Sequence, residues 1–429
     1  MAGGNQRRTY RPTQRRRGTI YLLVLSTALL VTILGLSALT ASRVQARGSE
    51  GTNDFVQARL HAFSALELGR QWIASDSNWR TTRPNGVWAA NVPIGSGSFT
   101  LSGTDPDGLP LSDDSGQPLV LSAIGAQGAA RYQLQVTLVP KSKGLTCLGV
   151  SLHAGSSMSV NTATLIATKQ VVGAMTSVTA SSSNLYCDVE AGTTITGGVY
   201  WGKRTPGVTP RTMPNTTTVF DYYLAHGTAI DIATIPTSGG VPTIQNKLIS
   251  PGISPFGTGL VNPSGIYVID CKGADLRFQR CRIVGTLVVL NVGTCRVLAD
   301  VLWDPAVSNL PSLLVRGNFQ DDTDRTNTLS ESTASCNFNP SHTPYQGTFD
   351  TDTADTYPDI INGLVYATGN VSTTSVPEFN GVVIANTCVS IGGSVKFTYQ
   401  STFLDNPPPG FEGEKVMVVS PGTWRQLVN

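Results

Sequence analysis

Twenty-three consecutive uncharged residues near the N-terminus, Thr19–Ala41, constrain this chain more than any other feature. A helix rises about 1.5 Å per residue, so this segment would measure roughly 35 Å and could cross a bilayer core. Because positive charge stays on the cytoplasmic side, we expect a single-pass protein with residues 1–18 as a basic cytoplasmic leader and an extracytoplasmic C-terminal body. A cleaved secretory signal is the alternative, but its apolar run is usually shorter. The arginines that precede the segment are Arg7, Arg8, Arg11, Arg15, Arg16 and Arg17.

The apolar segment is expected to continue as an amphipathic helix. No proline lies between Thr13 and Arg83, so nothing in this stretch breaks a helix. Beyond the apolar segment, small and apolar residues recur every three to four positions, which gives a helix one apolar face. We therefore predict one helix from Thr19 to about Asp76, within a first structural region of residues 19–80. The recurring residues include Phe55, Ala58, Ala62, Leu66, Gly69 and Ile73.

Charge and cysteine usage exclude several functions. Residues 1–49 carry eight Arg and no acid, whereas the remainder of the chain carries a net charge of −6. The basic charge thus belongs to the leader, and we predict no nucleic-acid partner. The seven cysteines all lie beyond residue 146 and form no CxxC pair or zinc-like cluster. We predict no metal and no cofactor; the odd number leaves at least one cysteine unpaired or bonded between chains, while disulfide pairing stays open.

The N-terminal region resembles a known family. A leader RRRG ending at Gly18, an apolar stretch and then ARLHAFSALELGRQWI is similar to type IV prepilins and type II secretion pseudopilins, most of all the PilX-type minor pilins and GspK-type pseudopilins. The resemblance implies a bacterial inner-membrane protein that a prepilin peptidase cuts between Gly18 and Thr19. It also implies contact with membrane lipid and with other pilin or pseudopilin subunits through the N-terminal helix. An uncleaved plain anchor remains the alternative.

One position departs from the pilin pattern. Most members of the family carry a glutamate five residues after the cut, where this chain has Leu23. A buried carboxylate there can neutralise the terminal amine of a neighbouring subunit inside a fibre. Its absence, which GspK-type proteins share, implies a tip or initiating subunit rather than a major fibre subunit.

Residues 86–140 change from helical period to alternation. Ser98–Ser102 and Tyr132–Leu138 place apolar residues at every second position, as half-buried strands do. Residues 103–118 are rich in Asp, Gly, Pro and Ser and read as a loop. We predict a small antiparallel sheet of the kind that a pilin-like head requires.

The rest of the chain is predicted to be mostly β-solenoid. Short apolar bursts recur in residues 145–317 and 359–411, and Asn362-Gly363 returns 18 residues later as Asn380-Gly381. Stacked coils produce such a recurrence, although a β-sandwich also has closely spaced strands. Residues 358–411, ending in NPPPGF, resemble the short β-solenoid tail of PilX-like bacterial membrane proteins. Residues 318–358 are expected to form a mobile, Asp-rich polar loop, and residues 412–429 a tail.

No residue constellation points clearly to chemistry. Asp300 and Asp304 flank Trp303, and Asp321 adjoins Asp322, but their spacing does not place two carboxylates on one face, as glycoside hydrolysis needs. Loop and corner positions explain such acids equally well. The sequence offers further candidates, for which solvated loop acids and buried aromatic rings are the commoner explanations. These candidates are His226-Gly227, the possible calcium ligands Asp321, Asp322, Asp324, Asp350, Asp352 and Asp355, and the aromatic pairs Tyr200-Trp201 and Tyr222-Tyr223.

The sequence therefore predicts an α+β, mostly β fold: a long transmembrane and amphipathic helix, a small pilin-like antiparallel sheet, and a β-solenoid body. The predicted function is that of a non-enzymatic minor pilin or pseudopilin in a type IV pilus or a type II secretion-like assembly. A stand-alone, membrane-anchored surface protein with a binding or adhesive solenoid is the first alternative. An anchored polysaccharide-active enzyme is the second.

Overall fold

The computed structural model describes residues 17–257 and 259–427. The chain divides into two compact units. The helix–sheet unit comprises Met1–Lys141 and Val416–Asn429, of which residues 1–16 and 428–429 lie outside the described part, and the large β unit comprises Ser142–Lys415. The chain therefore leaves the helix–sheet unit once and returns to it at its C-terminus.

Five α-helices are present in the described residues: α1 Arg17–Ser75, α2 Trp79–Thr82, α3 Asp221–His226, α4 Glu331–Ala334 and α5 Thr402–Asp405. Two short 3-10 turns span Thr146–Gly149 and Ile232–Thr234.

Strands make up most of the remaining regular structure. In chain order they are β1 Gly86–Ile94, β2 Gly97–Thr104, β3 Leu119–Gln127, β4 Ala130–Gly144, β5 Leu152–Ala154, β6 Met158–Ala174, β7 Ser177–Ala191, β8 Thr194–Tyr200, β9 Arg204–Pro206, β10 Thr228–Ile230, β11 Thr237–Ser238, β12 Val241–Ile249, β13 Ile266–Asp270, β14 Leu276–Val284, β15 Thr286–Leu290, β16 Thr294–Asp304, β17 Leu313–Val315, β18 Asn318–Asp321, β19 Thr328–Ser330, β20 Thr356–Pro358, β21 Ile360–Ala367, β22 Val371–Thr373, β23 Glu378–Ala385, β24 Val389–Thr398, β25 Glu412–Val419 and β26 Arg425–Leu427.

Helix α1 runs without interruption for 59 residues and confirms the predicted long apolar helix. Its end is set by Asp76, whose carboxylate accepts hydrogen bonds from the backbone N–H of Asn78 at 2.9 Å and the hydroxyl of Thr82 at 2.8 Å. These bonds hold a turn that competes with a further helical turn. Along α1 the large apolar side chains from Ile20 to Val44 are exposed, whereas the face beginning at Ala58 is buried.

That buried face of α1 packs on a six-stranded sheet with the order β1-β2-β3-β4-β25, in which β26 also pairs with β4. The pairs β1–β2, β2–β3, β3–β4 and β4–β26 are antiparallel. Strands β3 and the first part of β4 alternate buried and half-buried residues, which confirms the predicted antiparallel sheet. The segment 412–429, predicted as a tail, instead supplies β25 and β26. Its pairing partner lies some 290 residues earlier in the chain, with Arg425 opposite Gln135, so no local pattern reveals it.

Eighteen strands of the large β unit form one large mixed sheet. Most neighbours are parallel: β21 pairs with β23 so that Asn362 and Gly363 lie opposite Asn380 and Gly381. Spatial order departs from chain order, because β24 pairs with β6 through Val389 and Met158, which places β5–β9 beyond the C-terminal strands. The pair β11–β12 is antiparallel.

The main core of the large β unit is apolar. Buried Val, Leu, Ile and Phe side chains line successive strands, and the rings of Phe379 and Phe397 stack at 5.2 Å with 11° between their planes. All seven cysteines fall within the described residues and none forms a disulfide. Burial raises the pKa of Cys281 to about 11 and the pKa of Cys271 to about 12, so these thiols act as small apolar core groups.

The polar segment 318–358 departs from the expected mobile loop. It contains β18, β19, β20 and α4, and its Phe338 and Tyr357 join Leu302 in a separate hydrophobic cluster. The fully buried carboxylate of Glu331 accepts hydrogen bonds from the Tyr357 hydroxyl at 2.9 Å and from two backbone N–H groups. The packing of Phe338 and Tyr357 and the hydrogen bonds of Glu331 hold the segment in place, and its polar composition gives no sign of them.

Candidate functional site

The predicted processing pair, Gly18 and Thr19, lies in the first turn of α1. Residues 1–16, which hold every leader arginine except Arg17, lie outside the described residues. The helix from Thr19 onward is long and apolar enough to cross a membrane, and its most apolar stretch is not buried. The large apolar side chains between Ile20 and Val44 are therefore exposed within the described part of the chain.

Hydroxyl groups within the apolar segment are satisfied by the helix itself. Thr32 donates to the carbonyl of Ala28 at 2.7 Å, and Ser37 donates to the carbonyl of Ile33 at 2.7 Å. An unsatisfied hydroxyl in hydrocarbon is costly, and this back-bonding removes that cost without a neighbouring helix. The segment is thus chemically compatible with lipid despite its Ser and Thr content.

The aromatic residues singled out from the sequence divide between core and surface. Tyr223 is fully buried and its hydroxyl donates to the carbonyl of Pro409 at 3.0 Å. Tyr200 packs partly on the main core. Trp201 is 66% exposed and stacks on Tyr186, with ring centroids 5.5 Å apart and 7° between the planes.

The carboxylates singled out from the sequence make different contacts. Asp304 accepts a hydrogen bond from Asn362 at 2.8 Å, whereas Asp322 forms an ion pair with Arg296. Asp321, adjacent in sequence to Asp322, is fully buried with one oxygen that has no hydrogen-bond partner.

A second buried carboxylate near Asp321 is one that sequence reasoning missed. Asp359 is buried and accepts hydrogen bonds from the backbone N–H of Val301 at 2.8 Å and of Asp324 at 3.1 Å. Burial, with the nearby Asp359 charge as a smaller cause, raises the pKa of Asp321 to about 7. Burial raises the pKa of Asp359 to about 6. A single Asp before an apolar strand gives no sequence signal that its side chain is buried near Asp321.

The structure also shows the contacts of His226 and of the possible calcium ligands. His226 stacks on Tyr222 with a centroid distance of 4.2 Å, and its Nδ1 lies 2.7 Å from the carbonyl oxygen of Tyr222. Of the possible calcium ligands, Asp350 and Asp352 have oxygens within 4.8 Å of each other and of Glu331, a residue the sequence did not single out. Asp355 instead accepts a hydrogen bond from Asn339 at 2.9 Å.

The described residues thus define a mostly β protein with a long, apolar N-terminal helix, an antiparallel sheet and a large mixed sheet. No protein-family model matches the sequence, and no curated protein matches it. Among solved structures, the competence-associated pilin ComZ from Thermus thermophilus is similar over 88% of this chain and 98% of that chain, with 11% sequence identity and a TM-score of 0.36. A TM-score of 0.36 does not define a shared fold, so the function proposed for this chain rests on its own residues.

Proposed function

We propose that this chain is a non-enzymatic, membrane-anchored structural subunit of a type IV pilus or type II secretion-like assembly, of the PilX or GspK kind. The observation that carries the proposal is the division of α1 into two parts. The part from Ile20 to Val44 leaves its large apolar side chains exposed, and the part from Ala58 to Ile73 buries one face against an antiparallel sheet.

An apolar helix surface of this length requires either lipid or other helices around it. About 20 residues suffice to cross the hydrocarbon core, so α1 at 59 residues extends well beyond the membrane before it reaches the sheet. The segment that follows the apolar run carries Arg43, Arg47, Glu50 and Asp54, which suit a water-exposed stem. Such a helix can lie in lipid before assembly and pack beside equivalent helices afterwards.

The orientation follows from the leader. The arginines before Gly18 would hold the N-terminus in the cytoplasm, and the body would face the extracytoplasmic side of the bacterial inner membrane. Cleavage after Gly18 would make Leu23 the fifth residue of the mature chain. Leu23 cannot neutralise a neighbouring subunit's terminal amine, which favours a tip or initiating position over repeated incorporation along a fibre.

We further infer that the large β unit is a β-solenoid presented by this anchor. Parallel strands lie in register at offsets close to one coil: Asn362 opposite Asn380, and Met158 opposite Val178. Each coil would bury its apolar face on the next, as in other quasi-one-dimensional repeats. The anchor and sheet would then serve assembly, while the solenoid would serve contact with the surroundings.

The mature N-terminus tests the proposal. The full chain, co-expressed with a prepilin peptidase and extracted from membranes, should begin at Thr19 when its N-terminal peptide is sequenced by mass spectrometry. Gly18→Val is the matched control and should retain residues 1–18, because a branched side chain replaces the residue at the cut. A wild-type chain that still begins at Met1 or Ala2 would overturn the pilin-like function and leave a plain anchor.

A further inference from the structure

The geometry points to a binding site for a neutral oligosaccharide in a cleft of about 720 Å³ on the large β unit. The cleft lies between coil residues of β16, β21 and β23 and the segment around Tyr345. Its volume falls in the range of small-molecule sites, about 300–1,000 Å³. The proposal goes beyond the assembly function, since it concerns the body rather than the helix.

A ladder of polar side chains forms one wall of the cleft. The amide of Asn380 donates to the side-chain oxygen of Asn362 at 3.0 Å, and the amide of Asn362 donates to Asp304 at 2.8 Å. The three residues stand on successive parallel strands, which are about 4.8 Å apart. Within the described part of the chain, one N–H of each Asn side chain, the side-chain oxygen of Asn380 and one oxygen of Asp304 make no further hydrogen bond.

This arrangement matches the chemistry of sugar hydroxyls. A hydroxyl group donates one hydrogen bond and accepts others at the same time, so it is best held where donors and acceptors alternate. The ladder offers both at regular intervals along the stack. Gln400 and Thr402, which also line the cleft, add further groups of the same kind.

Tyr345, which also lines the cleft, supplies an aromatic ring held by its neighbours. The half-buried Tyr345 has its ring 4.9 Å from that of Tyr357 at 85°, and the guanidinium carbon of Arg282 lies 5.3 Å from its centroid. Tyr345 and Thr348 exchange two backbone hydrogen bonds of 2.9 Å, which close a tight loop. A rigid ring beside a polar ladder can take the apolar C–H face of a sugar ring.

Arg282 lines the cleft and binds the segment that carries Tyr345. It is 3% exposed, and its terminal nitrogens donate to the carbonyls of Phe338, Thr343 and Pro344, which hold the Tyr345 segment against the coils. Its Nε–H is buried and has no hydrogen-bond partner among the described residues.

The charges of the cleft favour a neutral ligand. Arg282 and Asp304 are the two charged residues among those that line it, and their charges are opposite. Asp304 is also the single carboxylate among the described residues of the lining, whereas glycoside hydrolysis uses two. Binding without cleavage is therefore the expected activity.

Calorimetric titration of the full chain in detergent micelles tests this site with three probes: cellohexaose, chitohexaose and maltohexaose. At least one should bind, and Asn380→Ala should weaken it roughly fivefold to tenfold through lost hydrogen bonds. Asn327→Ala, an exposed asparagine of the same unit outside the cleft, is the matched control and should bind as wild type.

Three results would overturn the proposal. They are the absence of binding by all three probes at millimolar concentration, equal affinity of Asn380→Ala and wild type, and binding of oligogalacturonate in preference to the neutral probes. Equal melting temperatures of the two variants would show that a loss of affinity is not a loss of fold. Leader cleavage after Gly18 is measured separately, so failure here leaves the assembly function intact, and the converse also holds.

Discussion

The backbone of Gly125 on β3 lies directly against the carbonyl oxygen of Ala58 on α1: a β-carbon built on Gly125 would be 2.0 Å from that oxygen. No real β-carbon tolerates such a contact, so helix and sheet can approach this closely only where a residue lacks one. The same close approach recurs at Gly69 on α1, whose built β-carbon would lie 3.0 Å from Leu121. Two glycines on facing elements thus set the depth at which α1 sits on its sheet.

Gly125→Ala should destabilise the helix–sheet unit by about 2–4 kcal/mol, because α1 would have to move away from β3. Gly51→Ala is the matched control: its β-carbon meets nothing within 4 Å, and alanine in an exposed helix gains about 0.5–1 kcal/mol over glycine. Denaturant unfolding of the full chain in micelles, followed by fluorescence of the Trp residues near α1, measures both. Equal stabilities of the two variants would contradict the close packing.

Part of this architecture can be predicted from the sequence, because its signals are local. The extent of α1 is predictable, because hydropathy, period and the absence of proline are all local. The alternation of Tyr132–Leu138 is local too, and the recurrence of Asn362 as Asn380 survives as register in the structure. These signals lie within one strand or one coil.

Other features depend on pairings between distant segments. Strand β24 pairs with β6, and β26 pairs with β4. Each pairing joins residues more than 200 positions apart, and no local sequence pattern predicts which strand is the partner. The candidate site also depends on distant segments. Asn362 and Asn380 are visible in the sequence as a repeat, but no local pattern predicts that Arg282 and Tyr345 line the same cleft.

Asp321→Asn should change how stability depends on pH. Below about pH 4 the Asp321 carboxyl is protonated in both folded and unfolded chains, so its contribution is then largest. As pH rises from about 4 to 7, the unfolded chain ionises while the folded chain, with its pKa raised by burial to about 7, holds the proton. Wild-type stability therefore falls over this window, by up to about 4 kcal/mol from this group.

The asparagine variant has no carboxyl to ionise at position 321, and its amide oxygen can still accept the bond from the backbone N–H of Thr323. It should gain on wild type between pH 4.5 and pH 8, most at the higher pH, by about 1–4 kcal/mol. Unfolding in urea at both pH values measures the gain. Asp221→Asn, at an exposed carboxylate of the same unit, should show no comparable change. A constant difference between wild type and Asp321→Asn at both pH values would contradict the raised pKa.

Glu331→Ala should loosen the segment 318–358 while it leaves the rest of the large β unit folded. The change removes acceptors from the Tyr357 hydroxyl and from the backbone N–H groups of Phe338 and Asp355, of which the first two are buried. Hydrogen bonds to a charged group contribute about 1.5–3 kcal/mol each, so the local loss should exceed 3 kcal/mol. Limited proteolysis should cut the variant between α4 and β20 well before it cuts wild type. Glu414→Ala, at an exposed carboxylate, should be cut at the wild-type rate.

Cys388 should be the most reactive thiol of the native chain. Its sulfur lies 3.4 Å from the Ser157 hydroxyl, a hydrogen bond that lowers the pKa of Cys388, and its side chain is only partly buried. By contrast, burial raises the pKa of Cys147 and Cys187 to about 12, which leaves almost no thiolate at neutral pH. Brief maleimide treatment of the purified chain, followed by peptide mass spectrometry, should therefore place the first label on Cys388.

Two controls decide this last prediction. Cys388→Ser should abolish the early label, and denaturant should expose all seven cysteines to labelling. If Cys388 reacts only after a reductant is added, the thiol is already held in a disulfide. Since every cysteine within the chain is free in the folded structure, that disulfide would have to join two chains or a second molecule. Non-reducing gel electrophoresis of the Cys388→Ser variant beside wild type would then show whether a covalent dimer disappears with the substitution.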